Sequence, residues 1–317
     1  MKIFIFNFLK FIFVGVLLLS ITGNSIDIIL NKTVRSEEKL RSLLQCETLV
    51  IGSSHTQTAI LPDSIPALLN ISNSSETLYY TYNVLNTLLK NYDIKPDNII
   101  LDMPFSSLSS GMDIYLRDNQ MYSKYLPAIS DRETTPIFYK NSSFITYWLI
   151  ERSGSLTFDK LKLFFNTFIR HKSALSDLLP YCGTFYASDK SNLREKVAKD
   201  AIKLHYDTGG QIKSDIQAEY LKKIVQLCKE RKMHLFLLNT PLHKMYMDRI
   251  PAEFLDSYYS EINQYISSDN VDFWDYAHFT LPDSCFGDSH HLNLKGAQLF
   301  TQVVKKKLEE IKPETHK

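Results

Sequence analysis

Cysteine is scarce in this chain: Cys46, Cys182, Cys228 and Cys285 are the only four among 317 residues, and no two have C-x-x-C spacing. That argues against a structural zinc site, and a chain this long can bury a sizeable core without a disulfide framework. Cys228 reads as a core thiol on a helix face, and Cys182 and Cys285 are the one candidate pair. Walker-type and dinucleotide glycine patterns are missing, so no nucleotide cofactor is expected. Internal repeats and low-complexity tracts are also absent. Charge of either sign is not in excess: 36 Lys+Arg against 35 Asp+Glu leave a formal net charge of +1, which gives no electrostatic basis for a nucleic-acid partner.

What is there begins with an apolar N-terminus. Ile3 to Leu9 and Phe11 to Ile21 are almost wholly apolar, with Lys2 and Lys10 the only charges before Gly23-Asn24-Ser25. The whole run approaches the roughly 20 residues that span a bilayer, and it lacks an Ala-x-Ala-like cleavage site. Residues 1–25 are therefore expected to be an uncleaved signal anchor or transmembrane helix, with the domain behind it on the extracytoplasmic side, periplasmic or cell-surface. Residues 26–46 read as a juxtamembrane spacer containing a short polar helix that opens at Ser36-Glu37-Glu38.

Beyond that, short apolar runs alternate with amphipathic stretches. Strands are expected at Thr48–Ile51, Asn70–Ser72, Asn98–Asp102, His234–Leu238 and Val271–Trp274. Helices are expected at Asp63–Leu69, Glu76–Tyr92, Ser214–Arg231, Ala252–Ile266 and Leu294–Ile311. The alternation implies an α/β fold, a three-layer sandwich around a mainly parallel five-stranded sheet. Residues 107–210 break the rhythm with aromatic-rich segments such as Phe144–Ile150 and read as a helical insertion. The catalytic domain as a whole is placed at residues 47–317.

Two segments at opposite ends carry the chemistry. Leu49-Val50-Ile51-Gly52-Ser53-Ser54-His55 is an apolar run that breaks at a glycine into a serine turn, and Asp288 precedes His291 by three residues just ahead of the last helix. A serine hydroxyl needs a neighbouring imidazole to remove its proton, and the imidazole needs an acceptor that fixes its tautomer. Ser54, His291 and Asp288 could supply nucleophile, base and orienter, with Gly52 giving a tight turn beneath the nucleophile. Each piece alone has a plainer reading: a strand-to-loop turn at Gly52-Ser53-Ser54, and a helix-capping acid at Asp288.

Gly52-Ser53-Ser54 at the end of the first strand, and Asp288 with His291 before the final helix, resemble the first and last motifs of the SGNH or GDSL-like hydrolase superfamily. The extension His291-Leu292-Asn293-Leu294-Lys295-Gly296-Ala297 resembles its membrane-anchored branch, which includes the D-alanyl-lipoteichoic acid transfer protein and the alginate O-acetylation accessory proteins. The resemblance covers roughly residues 47 to 312. It implies an SGNH/flavodoxin-like sandwich and selects Ser54 over Ser53 and His291 over His290.

Two family features are lacking. No glycine stands in Leu69–Ser75 to offer an oxyanion amide, so Asn73 or a backbone amide near Ser74 is the candidate substitute. The Asn expected after the third strand is replaced by Met103-Pro104-Phe105-Ser106. Gly52, His55, Asn73, Ser74 and His243 are the candidate oxyanion- and substrate-binding residues.

The resemblance implies a membrane-anchored serine esterase or O-acyltransferase acting on acylated polysaccharide or another envelope substrate. A multispanning membrane acyltransferase is the implied partner. The other readings are a stand-alone carbohydrate or lipid esterase and a non-catalytic SGNH-like interaction or glycan-binding protein.

Overall fold

The computed structural model describes residues 37–118, 175–179, 181–207, 209–266 and 269–311, with isolated residues 4, 6–8, 10, 11, 14, 15, 25, 121, 124, 125, 128 and 129. The chain forms two compact units, Met1–Leu43 with Asp131–Pro180, and Leu44–Ser130 with Tyr181–Lys317. In the first, Phe4, Phe6, Phe8 and Phe11 are exposed, and the rings of Phe4 and Phe8 stack at 6.4 Å. Helix α1, Glu37–Leu44, ends at the boundary between the units. No helix among the described residues is long and apolar enough to cross a membrane. Most of the N-terminal run and the aromatic segments at 144–150 and 161–165 lie outside the described residues.

The second unit is built on one five-stranded sheet in the order β2-β1-β3-β4-β5, with every neighbouring pair parallel. Its elements in chain order are β1 (Thr48–Ile51), α2 (Ser54–Ala59), β2 (Leu68–Asn70), α3 (Leu78–Asn91), β3 (Asn98–Asp102), α4 (Glu195–Tyr206), α5 (Asp215–Glu230), β4 (His234–Asn239), α6 (Lys244–Met247), α7 (Ala252–Ile262), β5 (Val271–Asp275) and α8 (Leu294–Ile311). Strand β1 is buried throughout, and β3 and β4 are buried beyond their first residues. Near-continuous apolar runs are what a parallel sheet covered on both faces requires.

Alternation along the strands divides the core. Val50, Ile100, Phe236 and Leu238 share one cluster with Phe300, Val304 and Leu308 of α8. Helices α3 and α5 pack on each other through Tyr79 and Tyr220, whose rings meet edge to face at 4.8 Å.

The strand order reverses between β1 and β3. In open parallel sheets the crevice outside the carboxyl ends at such a switch point is where ligands bind.

Two expectations change. A helix at Asp63–Leu69 is replaced by a single 3-10 turn at Pro62–Ser64. Pro66 forces Ile65 into extended backbone, φ −126° and ψ 118°, which stops the helix. Strand β2 then starts at Leu68 instead of Asn70, after Ala67 turns at φ 54°. Cys182 and Cys285 are both buried free thiols. Cys285 belongs to the cluster between sheet and α8, whereas Cys182 lies close enough to Glu76 for its charge, after burial, to push the thiol well up. Within the expected insertion the described residues hold a 3-10 helix at Ser110–Arg117, a short helix at Leu175–Leu178 and α4.

Candidate active site

The Gly52-Ser53-Ser54 turn is dictated by backbone geometry. Gly52 sits at φ +136°, and a Cβ there would lie 2.3 Å from the Asp102 Cβ, so the close approach of β1 to the end of β3 requires glycine. Ser53 follows as the N-cap of α2, with extended φ −91° and ψ −166°. Ser54 opens the helix, and from Thr48 to Ile60 it is the one residue that is not buried. The Asn73 amide donates to the Gly52 carbonyl at 2.8 Å and ties the turn to the chain beyond β2.

The second segment is a closed loop sewn to the start of α8. Phe286 bridges Leu292, and the Gly287 amide donates to the His291 carbonyl at 2.9 Å. Asn293 donates its side-chain amide to the carbonyls of Ser284 (2.9 Å) and Phe286 (3.3 Å) and accepts from the Gly296 amide (3.0 Å). Gly296 has no side chain because a Cβ would meet the Cys285 carbonyl at 2.1 Å. The Asn and Gly of the 291–297 stretch thus serve to hold His291, while Leu292 joins the core.

These segments bring three side chains into one hydrogen-bonded line. His291 Nε2 lies 2.7 Å from Ser54 Oγ, and His291 Nδ1 lies 2.9 Å from Asp288 Oδ2. Asp288 Oδ1 accepts from the backbone amides of His290 and His291, both at 2.9 Å. Burial alone would raise the Asp288 carboxyl, but the His291 hydrogen bond and charge, with help from His290, hold it well below the usual carboxylate range. An ionised Asp288 accepts a hydrogen bond from Nδ1–H, which leaves Nε2 with the lone pair that accepts from the Ser54 hydroxyl. Such a line can transfer a proton from the hydroxyl to the imidazole while the oxygen attacks an electrophile.

Three more imidazoles surround the relay. The His55 ring lies 5.0 Å from that of His291, and the His290 ring lies 4.1 Å from His291 and 5.3 Å from His205. Burial, followed by the charge of His291, lowers His55 and His290 well below the ordinary histidine value and His205 to about 4. They stay neutral at neutral pH and add no competing charge beside His291. His205 Nδ1 lies 2.5 Å from Tyr246 Oη, and the Tyr246 ring stacks on His290 at 5.2 Å.

The other sequence candidates are placed differently. Asn73, the candidate substitute oxyanion donor, donates its amide to the Tyr181 carbonyl at 3.2 Å and accepts from Lys124 at 2.7 Å, which ties its side chain to neighbouring segments. Ser74 donates its hydroxyl to Gln57 at 2.7 Å. His243, the candidate substrate contact, caps a helix: Nδ1 accepts from the Met245 amide at 3.1 Å and Nε2 pairs with Asp283 at 3.3 Å. Its own amide donates to the Ser289 carbonyl at 3.1 Å, bracing the loop that carries His291. His55 is buried within the imidazole cluster, and its Nδ1 has no partner among the described residues.

Asp288, His290 and His291 offer ligand atoms that all lie within 4.8 Å of one another, a donor set a transition metal could use. The carboxylate is taken up by two amides and the His291 ring, and His291 Nε2 faces Ser54 Oγ. That arrangement fits a proton relay better than a metal site.

Sequence reasoning missed Asp102. Its Oδ2 accepts from both the amide and the hydroxyl of Ser53, the amide at 2.9 Å, and the residue is 3 % exposed. The available signal was a carboxylate closing an otherwise apolar strand.

Among known proteins, a family model without a description matches residues 190–312. No curated protein matches. Among solved structures, a protein from Streptococcus pneumonia given the provisional name of a platelet activating factor aligns over 90 % of this chain and 98 % of its own, at 12 % identity and a TM-score of 0.36. A likeness at that level assigns neither topology nor activity.

Proposed function

We propose that this chain is an SGNH-like serine esterase or O-acyltransferase that works through an acyl-serine intermediate. The observation that carries the reading is the continuous contact from Ser54 Oγ to His291 to Asp288, at 2.7 and 2.9 Å, with Ser54 half-open to solvent at the switch point of the sheet. Ser54 Oγ attacks an acyl carbonyl while His291 Nε2 removes its proton, and Asp288 stabilises the imidazolium. The tetrahedral intermediate collapses as His291 returns the proton to the leaving alkoxide, leaving the acyl group on Ser54. Water or a sugar hydroxyl, deprotonated by the same imidazole, then takes the acyl group.

Because the side chains of Asn73 and Ser74 are engaged elsewhere, the oxyanion falls to backbone amides at Ser54 and in the turn at Ser74.

The domain would have a three-layer SGNH-like arrangement and stand outside the membrane, anchored by residues 1–25. Support for the anchor comes from the apolar run itself and from the exposed rings of Phe4, Phe6, Phe8 and Phe11, which lipid would cover. On that reading the acceptor is an exported polysaccharide or another envelope glycan, with a multispanning acyltransferase supplying acyl groups.

A serine-reactive fluorophosphonate probe tests the chemistry. Labelling of the folded protein that disappears in Ser54→Ala is the expected result. Absent labelling would leave a glycan-binding or interaction module, the reading favoured by the missing side-chain oxyanion donors. Acetyl release to water against transfer to added glycan then separates esterase from transferase.

A further inference from the structure

We infer that Asp102 is a positioning residue for the nucleophile, acting through Ser53; the inference rests on the acyl-serine reading above. Asp102 closes β3 at the switch point, directly behind the turn that ends β1. Its Oδ2 receives both hydrogens that Ser53 can donate, the amide at 2.9 Å and the hydroxyl at shorter range. Ser53 is the N-cap of α2, so its orientation sets the first turn of that helix and the direction in which Ser54 leaves the backbone. Gly52 has given up a side chain to let the carboxylate stand there. One buried group thus fixes the residue before the nucleophile at two atoms, by charge-assisted bonds that are shorter and stronger than neutral ones.

The surroundings argue against a purely structural role. Asp102 borders a cavity of about 20 Å³ shared with Gly52, Ser53, Glu76 and Thr77, and the acid facing it across that space is Glu76. The other titratable groups that act on it are His291 and Tyr258, and among the described residues no lysine or arginine pairs with it. Burial pushes its carboxyl up to about 6, against the Ser53 hydroxyl, the Ser53 and Thr56 amides and the charge of His291. A neutral amide of the same shape would occupy this position with less desolvation penalty. What an amide could not do is accept from Ser53 with a full negative charge.

The test measures turnover of an activated acetyl ester and thermal unfolding on the full chain, for the wild type, Asp102→Asn, Ser53→Ala and the double variant. The expected result is a fall in kcat of about ten- to a hundredfold for Asp102→Asn with KM nearly unchanged, the scale of a misplaced reacting group. Its melting temperature at pH 7.5 should be unchanged or higher. The double variant should be no slower than the slower single one, because both remove the same contact. The wild-type rate should lose one component as pH falls through about 6, while Asp102→Asn keeps only the limb set by protonation of the base. An Asp102→Asn enzyme with full kcat, or one whose kcat falls only in step with its melting temperature, overturns the inference, as does additivity of the two substitutions. Ser53→Ala keeps the inference testable should Asp102→Asn fail to fold, since a kcat within twofold of wild type would also overturn it. A wild type that neither turns over nor takes the fluorophosphonate removes the acyl-serine reading and this inference with it, an outcome distinct from loss of either variant's effect.

Discussion

Three buried or half-buried carboxylates flank the serine turn at Ser53-Ser54, and the two sides treat the same functional group in opposite ways. On the base side, Asp288 faces two amides and the His291 ring and is held well below the ordinary range in spite of its burial. On the strand side, Asp102 faces the Ser53 hydroxyl and two amides, Glu76 faces two hydroxyls and Lys124, a small cavity lies between them, and burial still pushes them up to about 6 and about 8. Burial acts on all three. What decides the outcome is whether the donors and cation beside each group outweigh burial or fall short of it. Asp288 is built to stay charged beside an imidazole that gains charge, whereas Glu76, with the Tyr125 and Thr81 hydroxyls at 2.6 and 2.8 Å, sits where a proton is easily held.

The sharpest way to break that contrast is to remove the charge of Asp288 alone. Asp288→Asn keeps the shape of the loop but presents the wrong partner to His291 Nδ1, and kcat is expected to fall about 10⁴-fold with little change in KM. Steady-state kinetics on an activated ester checks this, and a drop under tenfold would mean the carboxylate is only a cap. Gly52→Ala attacks the other side. Its Cβ would collide with Asp102 at 2.3 Å in a backbone conformation that disfavours side chains, so a loss of about 3 kcal/mol in urea unfolding is expected.

The difference between the sides also explains what could be read from the sequence. The Asp288–His291 contact spans three residues and the loop closes on itself, so the local spacing offered it and the family resemblance selected His291 over His290. The bounds of β1, β3 and α8 were equally legible, because their apolar periods run unbroken between polar punctuation. Asp102 and Ser53 are 49 residues apart and meet only once two parallel strands are in register, with Val50 beside Ile100 and Ile51 beside Leu101. Nothing local marks that pairing. The partners of Asn73 were hidden for the same reason, since Tyr181 and Lys124, which engage its amide, lie 108 and 51 residues away. The helix expected across Pro66 was a plain misreading of an available stop signal.

Glu76 gives a smaller effect with an opposite pH sense. Its native pKa of about 8 exceeds the ordinary 4.5, so the native state holds this proton more tightly than the unfolded chain does. The stability it contributes is complete below about pH 4.5 and is lost as pH rises through 8. Glu76→Gln mimics the protonated form and should match the wild type in thermal unfolding at pH 4.5 but exceed it at pH 8.5. Equal melting temperatures at both pH values would mean that the hydroxyls and Lys124 compensate fully for burial. Asp288 runs the other way: its stabilisation is present at neutral pH and disappears in acid, below the ordinary carboxylate range.

His243 separates support of the base from contact with substrate, at the smallest expected magnitude. Its ring caps α6 through Met245, packs edge-on against Phe286 at 5.1 Å and pairs with an exposed Asp283, so none of its polar atoms is left for a ligand. His243→Ala should therefore cost about 1 kcal/mol of stability, the usual value of an N-cap. The backbone bond from residue 243 to the Ser289 carbonyl survives the substitution and continues to brace the loop. KM for any acyl substrate should stay well within twofold, since a lost hydrogen bond to ligand would be worth about 0.5–1.5 kcal/mol, roughly a twofold to thirteenfold rise. A larger KM change with unaltered stability would restore His243 to the substrate side and require its ring to leave the cap on binding.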